Sequence, residues 1–597
     1  CRGGGGGFSG VLGNPPWDKV DFKDQEYFSV VDPTLAKISG TARRTEIAKW
    51  AAENPEEGDR YAAARRRVKS SFLFLGSSGA YPQMRIGLSV KGVNSLQTDQ
   101  LFTERFVSVT APEGRCGTVV PTQIATSAGA QFLFQDLTRR GAVKHLYDFE
   151  NGKREKLFPA VHSSYQFALV SLTGRGLKEK AAQFAFSLGH PDELADGGAI
   201  FALSPEEIRL INPNTGTLPV FRTRRDADLT TAIQGRVPVL VNDKLVGGNP
   251  WRISFKQFVN LTDDSDLFRD RAELEEEGWT LEGSVFTRAE ERMLPLYDAK
   301  MAHLFDHRWN SYYGLGNDDY EHVPREVKQD PYGVAQPRQW IQDIGHVPTT
   351  RSGKKVEIPG IAERLNDLKW SRGWLLGWRR VTRATDERTA IPALLPRVAV
   401  GNTYPLMFPD VEAAQCAALV AAQSSLVFDY VARQKVAGID CGLRTWKQLP
   451  VPRPDDLAPH TAFITPRMLE LVYSSWEMEP LAIDLGDTGA PFTWNEDRRT
   501  QLRAELDAYF LHLYGVSRED AGYILESFQT ENGGLKNNEI TKYGEYRTKR
   551  LVLAEYERMA EAGLTMETPL IDGKNDTSTL TPPPGQGPRH EAQPEAG

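Results

Sequence analysis

The sequence predicts an α/β protein: part of a sheet with helices on it, then a mixed α/β region, then a helical C-terminal region. Three observations predict this. Between residues 114 and 172, strand-like runs alternate with a helical pattern. Gly114-Arg-Cys-Gly-Thr-Val-Val-Pro-Thr-Gln123 reads as a turn, a buried strand and a proline stop, residues 125–140 read as a helix, and Tyr165-Gln-Phe-Ala-Leu-Val-Ser-Leu172 reads as an aromatic and aliphatic strand. In the middle of the chain, Ala390-Ile-Pro-Ala-Leu-Leu-Pro-Arg-Val-Ala-Val400 has the same strand character. Residues 465–560 then repeat at helical spacing, as in Leu502-Arg-Ala-Glu-Leu-Asp-Ala-Tyr-Phe510, which Tyr514-Gly515 ends with a glycine stop.

The earliest element is Val11-Leu12, the end of a strand that Pro15-Pro16 must terminate. Two prolines in succession lack N–H donors and fix φ, so they fit neither a helix interior nor a central ladder. Asn14 is thereby left at the end of the strand. Its amide oxygen and a neighbouring proline carbonyl are acceptors with free lone pairs, and Trp17 lies directly behind them. Such a set can take the two N–H hydrogens of an exocyclic amine while the indole stacks on the ring that carries it. The bland alternative is a Pro-Pro turn that merely ends a strand.

The bounds are ordinary. The chain has 597 residues, 40% hydrophobic and 25% charged, enough for about three or four domains. Net charge is −8, so a nucleic-acid surface has to be local. The cysteines at 1, 116, 416 and 441 are far apart and form no C-x-x-C pair, which argues against a disulfide framework and fits a reducing, cytoplasmic setting. No apolar run reaches membrane-spanning length and no signal peptide is evident. The chain opens on Cys1 and a glycine run, which reads as a fragment or a misplaced start.

Taken in order, residues 18–70 are charged and broken, with Arg43-Arg44 and Arg65-Arg66-Arg67 as solvated helix faces or phosphate contacts. Phe72-Leu-Phe-Leu-Gly-Ser-Ser-Gly79 reads as a loop. Residues 222–233 turn helical, and Gly247-Gly248-Asn249-Pro250 marks a boundary near 245. Leu294–Trp309 is expected to be a helix with His303 and His307 on one face, short of a third ligand for zinc. Residues 311–360 are polar and Pro/Gly-rich, an expected insertion. Within them, Asp318-Asp319 and Glu326-Val-Lys328 form a faint D…E-x-K pattern of the nuclease type. Trp370–Thr389 carries five arginines and three tryptophans in twenty residues. Arginine reaches phosphates and guanine edges and aromatics stack on bases, so Arg372, Arg379, Arg380, Arg383, Arg388 and Thr389 are DNA-binding candidates. The alternative is a Trp-rich core strand pair with an arginine edge. Residues 410–436 read as helical. From about 570 the chain is rich in Pro, Gly, Thr and charge and is expected to be disordered.

Gly13-Asn-Pro-Pro-Trp17 resembles the catalytic motif of the amino-directed DNA methyltransferases, in the form of the adenine-N6 branch. The order Gly114…Val-Pro121, Tyr147-Asp-Phe-Glu-Asn151…Phe158-Pro, Tyr165-x-Phe-Ala-Leu169 and Arg380-x-x-Arg-Ala-Thr-x-Glu-Arg-Thr389 is similar to the large gamma-class adenine methyltransferases of restriction–modification and phage-defence systems, including PglX-like and DISARM-type enzymes. The resemblance implies a Rossmann-like methyltransferase sheet. It makes Asn14, Pro15, Pro16 and Trp17 catalytic and Tyr165 or Phe167 a base-stacking aromatic. S-adenosylmethionine is the implied methyl donor and no metal is expected. Double-stranded DNA is the implied partner, with other defence-system subunits or a missing N-terminal half as further candidates. The implied division is 1–245 catalytic, 246–455 target recognition, 456–569 helical and 570–597 tail. In that family an aromatic-x-Gly-x-Gly cofactor loop precedes the catalytic motif. Phe72–Gly79 has the wrong glycine spacing, so the chain reads as the C-terminal portion of a longer bacterial, cytoplasmic enzyme. Alternatives are a non-catalytic DNA-recognition module that works with a separate catalytic half, or a combined restriction–modification protein.

Overall fold

A computed structural model describes residues 6–592, except 39, 85–95, 128, 164, 196, 262–263, 265–266, 313–319, 346–358, 437, 531–532, 572–573 and 576–577. The chain divides into two compact units, Cys1–Thr231 and Ala232–Gly597.

The first unit is built on a six-stranded mixed sheet. Its elements are β1 (Phe8–Gly13), α1 (Pro55–Ser77), α2 (Thr98–Val109), β2 (Thr110–Pro121), α3 (Gln131–Arg139), β3 (Val143–Glu150), β4 (Gln166–Thr173), β5 (Ala182–Leu188) and β6 (Phe201–Leu203). The spatial order is β1-β2-β4-β3-β5-β6. β1 runs parallel to β2, and β4 lies antiparallel between β2 and β3. Along β2 alternate residues Cys116, Thr118 and Val120 are buried, the two-residue period of a pleated strand. Leu133, Phe134 and Leu137 of α3 recur at helical spacing and join the same apolar cluster as Cys116 and Val120. Gly141 closes α3 at φ +64°, where a Cβ would come 2.6 Å from the Glu179 carbonyl oxygen.

Two expectations change here. Residues 24–77 are a run of helices, with Phe28, Leu35, Ile47 and Tyr61 sharing a small core. Phe72–Ser77 closes the 23-residue α1, and the turn comes only with Gly79 at φ +70°. Periodicity is hard to see in α1 because charged residues cover most of its surface.

The second unit holds β7 (Ser254–Lys256), β8 (Glu291–Tyr297), β9 (Trp374–Trp378), β10 (Pro392–Pro396), β11 (Leu406–Phe408), α4 (Ala413–Ser424), α5 (Leu426–Lys435), α6 (Thr461–Val472), α7 (Glu496–Leu513), α8 (Leu535–Tyr543) and α9 (Arg547–Glu561). β10-β9-β11-β7 form one antiparallel sheet. β8 anchors another, pairing with Val285–Arg288 and Gln339–Gln342. The expected boundary near 245 lies inside this unit, since Leu240 and Val241 bond the backbone of Leu449 and Lys447 at 2.9 and 3.0 Å. The expected break near 455 is bridged as well. Asp507 accepts from the Leu426 N–H at 2.7 Å, and Arg499 donates to the Phe305 carbonyl at 3.0 Å.

The segment expected to be the helix Leu294–Trp309 is β8 followed by a tight loop. His303 stacks on Trp309, and the buried His307 meets the Ser475 hydroxyl at 3.0 Å, so the two histidines share no helix face. Among the described residues no group of three or more His, Cys, Asp or Glu is placed to hold a metal, and no helix is long and apolar enough to cross a membrane. Asp318-Asp319 lie outside the described residues. Lys328 is buried and paired with Asp306 at 2.6 Å, which takes it out of a nuclease-type reading.

The tail expectation is corrected in part. Arg589 pairs with Asp487 at 2.5 Å and lies over the Phe492 ring, the Thr493 N–H donates to the Pro588 carbonyl at 2.9 Å, and Ser578 donates to Glu505 at 2.6 Å. Composition gave no sign of this, because the partners lie far back in the chain.

Candidate base-binding site

The strand expected to stop at Asn14 does so: β1 ends at Gly13, at the edge of the sheet, and Asn14 is exposed. Gly13 passes close to α2: a Cβ there would sit 2.8 Å from the Phe106 ring, which would have to shift. Pro15 is buried. Thr98, opening α2, clamps the chain from Pro16 to Asp18. Its hydroxyl donates to the Pro16 carbonyl at 2.6 Å, and its backbone N–H donates to the Asp18 carbonyl at 3.0 Å. The Asp18 N–H returns a bond to the Thr98 hydroxyl at 2.9 Å. The Pro16 carbonyl is therefore occupied. Among the described residues nothing hydrogen-bonds the Asn14 side chain or the Pro15 carbonyl. Two adjacent acceptors without a hydrogen-bond partner among the described residues stand at the end of an edge strand.

Trp17 is half-buried and its indole N–H donates to the Val119 carbonyl at 3.2 Å. Its ring lies 6.4 Å from Phe167 at 24° and 6.1 Å from Phe158 at 79°. Phe167 in turn packs edge-on to Phe158 at 4.7 Å and parallel to Phe149 at 5.5 Å. Trp17 and Phe167 thus lie together, and Phe167, only 4% exposed, packs against the indole. Tyr165, 53% exposed, stands two residues earlier at the start of β4. Phe158 was not singled out from sequence. It is held by the fully buried Asn151, whose amide donates to the Phe158 and Val161 carbonyls at 3.0 and 3.1 Å and accepts from the Phe158 N–H at 2.8 Å. A buried asparagine closing a loop is a tertiary feature with no local signature.

Asp99 was also missed. It follows Thr98 on α2, is fully buried, and has neither carboxylate oxygen hydrogen-bonded. Burial pushes its pKa up to about 6. The raised value means that the folded protein binds a proton more tightly than the unfolded chain. The Asp99 contribution to stability is then fully present below about pH 4 and is lost as pH rises toward 6, by on the order of 2–3 kcal/mol. Asp99→Asn is expected to remove this loss. Urea unfolding at pH 5 and pH 8 checks it: wild type should lose more stability than the variant between the two, and parallel losses would sink the idea.

The arginine-rich stretch lies elsewhere, in the second unit. Its tryptophans are core: Trp378 stacks on Trp446 at 4.8 Å and donates to the Cys441 carbonyl, and Trp374 donates to Asp484 at 2.7 Å. None is free to stack on a base. Arg372 bonds Cys416 and the Val411 carbonyl over the Trp370 and Trp374 rings. Arg388 is paired with buried Asp429 at 2.5 Å, and buried Thr389 donates to the Arg383 carbonyl at 2.9 Å. Arg380 forms a two-point pair with Asp440. Among the described residues Arg379 donates to the Val381 carbonyl and makes no ion pair, and the Arg383 side chain is exposed.

No protein-family model matches the chain, and no curated protein matches it. Among solved structures it is similar to the type IIL restriction–modification enzyme MmeI in complex with DNA, at 11% identity and TM-score 0.36 over 81% of this chain and 55% of that one. It is also similar to a nuclease-deletion mutant of the type ISP restriction–modification enzyme LlaGI in complex with a DNA substrate mimic, at 10% identity and TM-score 0.32 over 77% and 41%. A third similarity, to a modification subunit of a putative type I restriction enzyme from Vibrio vulnificus, has 14% identity and TM-score 0.16 over 21% and 31%. The chain thus spans about half or less of the length of each.

Proposed function

We propose that the Asn14–Trp17 site holds the exocyclic amine of a flipped-out adenine in double-stranded DNA, as the acceptor half of an N6-adenine methyltransferase of a restriction–modification system. The observation that carries this is the pair of unoccupied acceptors, the Asn14 amide oxygen and the Pro15 carbonyl, beside an aromatic braced by Phe158 and Phe167. The two acceptors take the two N–H hydrogens. The amine nitrogen is a poor nucleophile because its lone pair is conjugated into the ring. As it attacks a methyl group its N–H bonds gain positive charge, and fixed acceptors at that point favour the transition state over the flat ground state. Stacking on Trp17 contributes about 1–3 kcal/mol, of the same order as the few kcal/mol that extrusion of the base costs. Tyr165 is exposed near the site and is assigned to the approach of the base.

S-adenosylmethionine is the methyl donor of this reading. Phe72–Ser77, the segment compared in sequence with a donor loop, is helical. No residue of this chain is therefore assigned to the donor, and the activity of the whole protein rests on the acceptor geometry alone. Labelled methyl transfer to mixed-sequence DNA tests the reading, with the chain alone and with an S-adenosylmethionine-binding half from a similar enzyme. Transfer in either format supports it. DNA binding without transfer in both would favour a recognition module.

The geometry also divides the arginine candidates. Arg379→Ala and Arg383→Ala are expected to weaken DNA binding uniformly across sequences and to lower the salt slope of binding by about one each, with the melting temperature unchanged. Arg388→Ala leaves Asp429 without its guanidinium and is expected to lower the melting temperature instead. A gel-shift titration in salt alongside thermal unfolding separates the two classes, and a normal salt slope in Arg379→Ala and Arg383→Ala would remove them from the DNA surface.

A further inference from the structure

We propose that a cavity of about 360 Å³ in the second unit, between α7, α8, the start of α9 and the Phe305–Trp309 loop, binds the phosphate of a nucleotide, with the attached base against Tyr543. The site uses none of the residues from Asn14 to Trp17 and stands apart from the methyl-transfer reading.

The floor is Arg499, only 7% exposed. Its guanidinium lies 3.6 Å from the Trp494 ring centre and donates to the Leu471 and Phe305 carbonyls at 2.6 and 3.0 Å. Among the described residues it has no ion pair. A cation this deep without a counter-charge is unfavourable, and burial pulls its pKa down to about 10. Asp306, the carboxylate that acts most on it, is already bonded to Lys328 at 2.6 Å. Arg503 stands four residues on, on the same face of α7. Its nearest side-chain partner is the Thr500 hydroxyl at 3.4 Å. Lys542 of α8 lines the opposite wall, 5.0 Å from the Tyr543 ring centre, and is likewise without an ion pair among the described residues.

Five carboxylates share the wall: Asp306 is paired with Lys328, Asp507 accepts from the Leu426 N–H at 2.7 Å, and Glu387 accepts from the Asn538 amide at 2.7 Å. Glu496 accepts from the Trp494 indole at 2.7 Å, and Glu539 accepts from the Thr548 N–H and hydroxyl at 2.7 and 2.6 Å. Six cations face these five carboxylates, and Arg499, Arg503 and Lys542 are left without an ion pair among the described residues, which suits an anion with several acceptor oxygens. A phosphate suits this, since guanidinium groups bind it in two-point fashion. The volume falls within the range of organic ligand sites and exceeds what an inorganic ion needs. Tyr543, nearly half exposed at the rim, supplies a stacking face for the attached base. The same chemistry is offered by a free nucleoside monophosphate and by a nucleotide of a DNA strand.

The test uses the full chain and follows tryptophan fluorescence, since Trp494 and Trp309 line the cavity. Adenosine monophosphate, adenosine and a short DNA duplex are titrated into wild type and into the Arg503→Gln/Lys542→Gln double variant. Both substituted residues are exposed, which keeps the fold out of the comparison. A phosphate-bearing probe is expected to bind the variant about tenfold or more weakly, a loss of about 1.4 kcal/mol, with adenosine binding far more weakly than its monophosphate. Loss for the monophosphate identifies a free nucleotide as occupant, and loss for the duplex alone identifies a DNA strand. Equal binding of wild type and variant, no binding of either phosphate probe to wild type, or adenosine binding as well as its monophosphate would overturn the proposal.

Discussion

Asn14→Ala is expected to reduce methyl transfer by about 10²–10³-fold while leaving the fold and DNA binding intact. The magnitude reflects the group removed: one fixed polar group aimed at charge that develops in the transition state, worth about 2.7–4 kcal/mol where such groups have been deleted. The structural side is equally specific. Asn14 is exposed, lies beyond the end of β1 and makes no side-chain hydrogen bond among the described residues, so its truncation opens no cavity and leaves no buried partner stranded. Asn14→Asp keeps an oxygen acceptor and is expected to retain part of the activity. Trp17→Ala differs in kind: it removes a ring packed on Phe158 and Phe167 and a bond to the Val119 carbonyl, so stability and transfer should fall together. The measurement is methyl incorporation from labelled S-adenosylmethionine in the assay format that supports wild-type transfer, with the melting temperature recorded beside it. Undiminished transfer by Asn14→Ala would refute the assignment.

Glu505→Ala is expected to be the most destabilising of these substitutions, by about 3–5 kcal/mol. Glu505 on α7 and Arg467 on α6 are both fully buried and meet at 2.7 Å. The arginine also lies 3.4 Å from the centre of the Phe463 ring and donates to the Phe463 carbonyl at 2.8 Å. Deleting the carboxylate strands a cation in the interior. It also frees Ser578, which donates to the other carboxylate oxygen and ties down part of the C-terminal segment. Glu505→Gln, which keeps an acceptor, should cost less. Urea unfolding followed by fluorescence reads the difference, and a loss below about 1 kcal/mol would show that the pair is solvated in solution.

The candidate site was legible in sequence because its causes are local. Two prolines end a strand wherever they fall, and they place Asn14 at its end. The tryptophan follows them directly in the chain. The half-buried Phe158 and the buried Asn151 and Asp99 around it were not legible, since what covers a residue comes from segments far off in the chain that leave no trace in its own neighbourhood. Thr98 is such a case: nothing in Gln97-Thr98-Asp99 announces a clamp on Pro16.

The sequence by itself determined the stop at Asn14, the strands around Val119 and Val170, and the C-terminal helices with the glycine stop at Gly515. These arise from φ restriction, two-residue alternation and helical spacing, which act within a few residues. Only the tertiary structure decided which face of each element meets a neighbour. Trp370, Trp374 and Trp378 look alike in sequence whether they stack on bases or fill a core, and Trp446, Cys441 and Asp484 settled that they fill the core. His303 and His307 fall in the loop after β8 rather than on a common helix. Arg589 turned from a tail residue into one arm of a pair with Asp487. Burial and charge pairing are properties of distant chain segments brought together, and no window of sequence contains both halves of the contact.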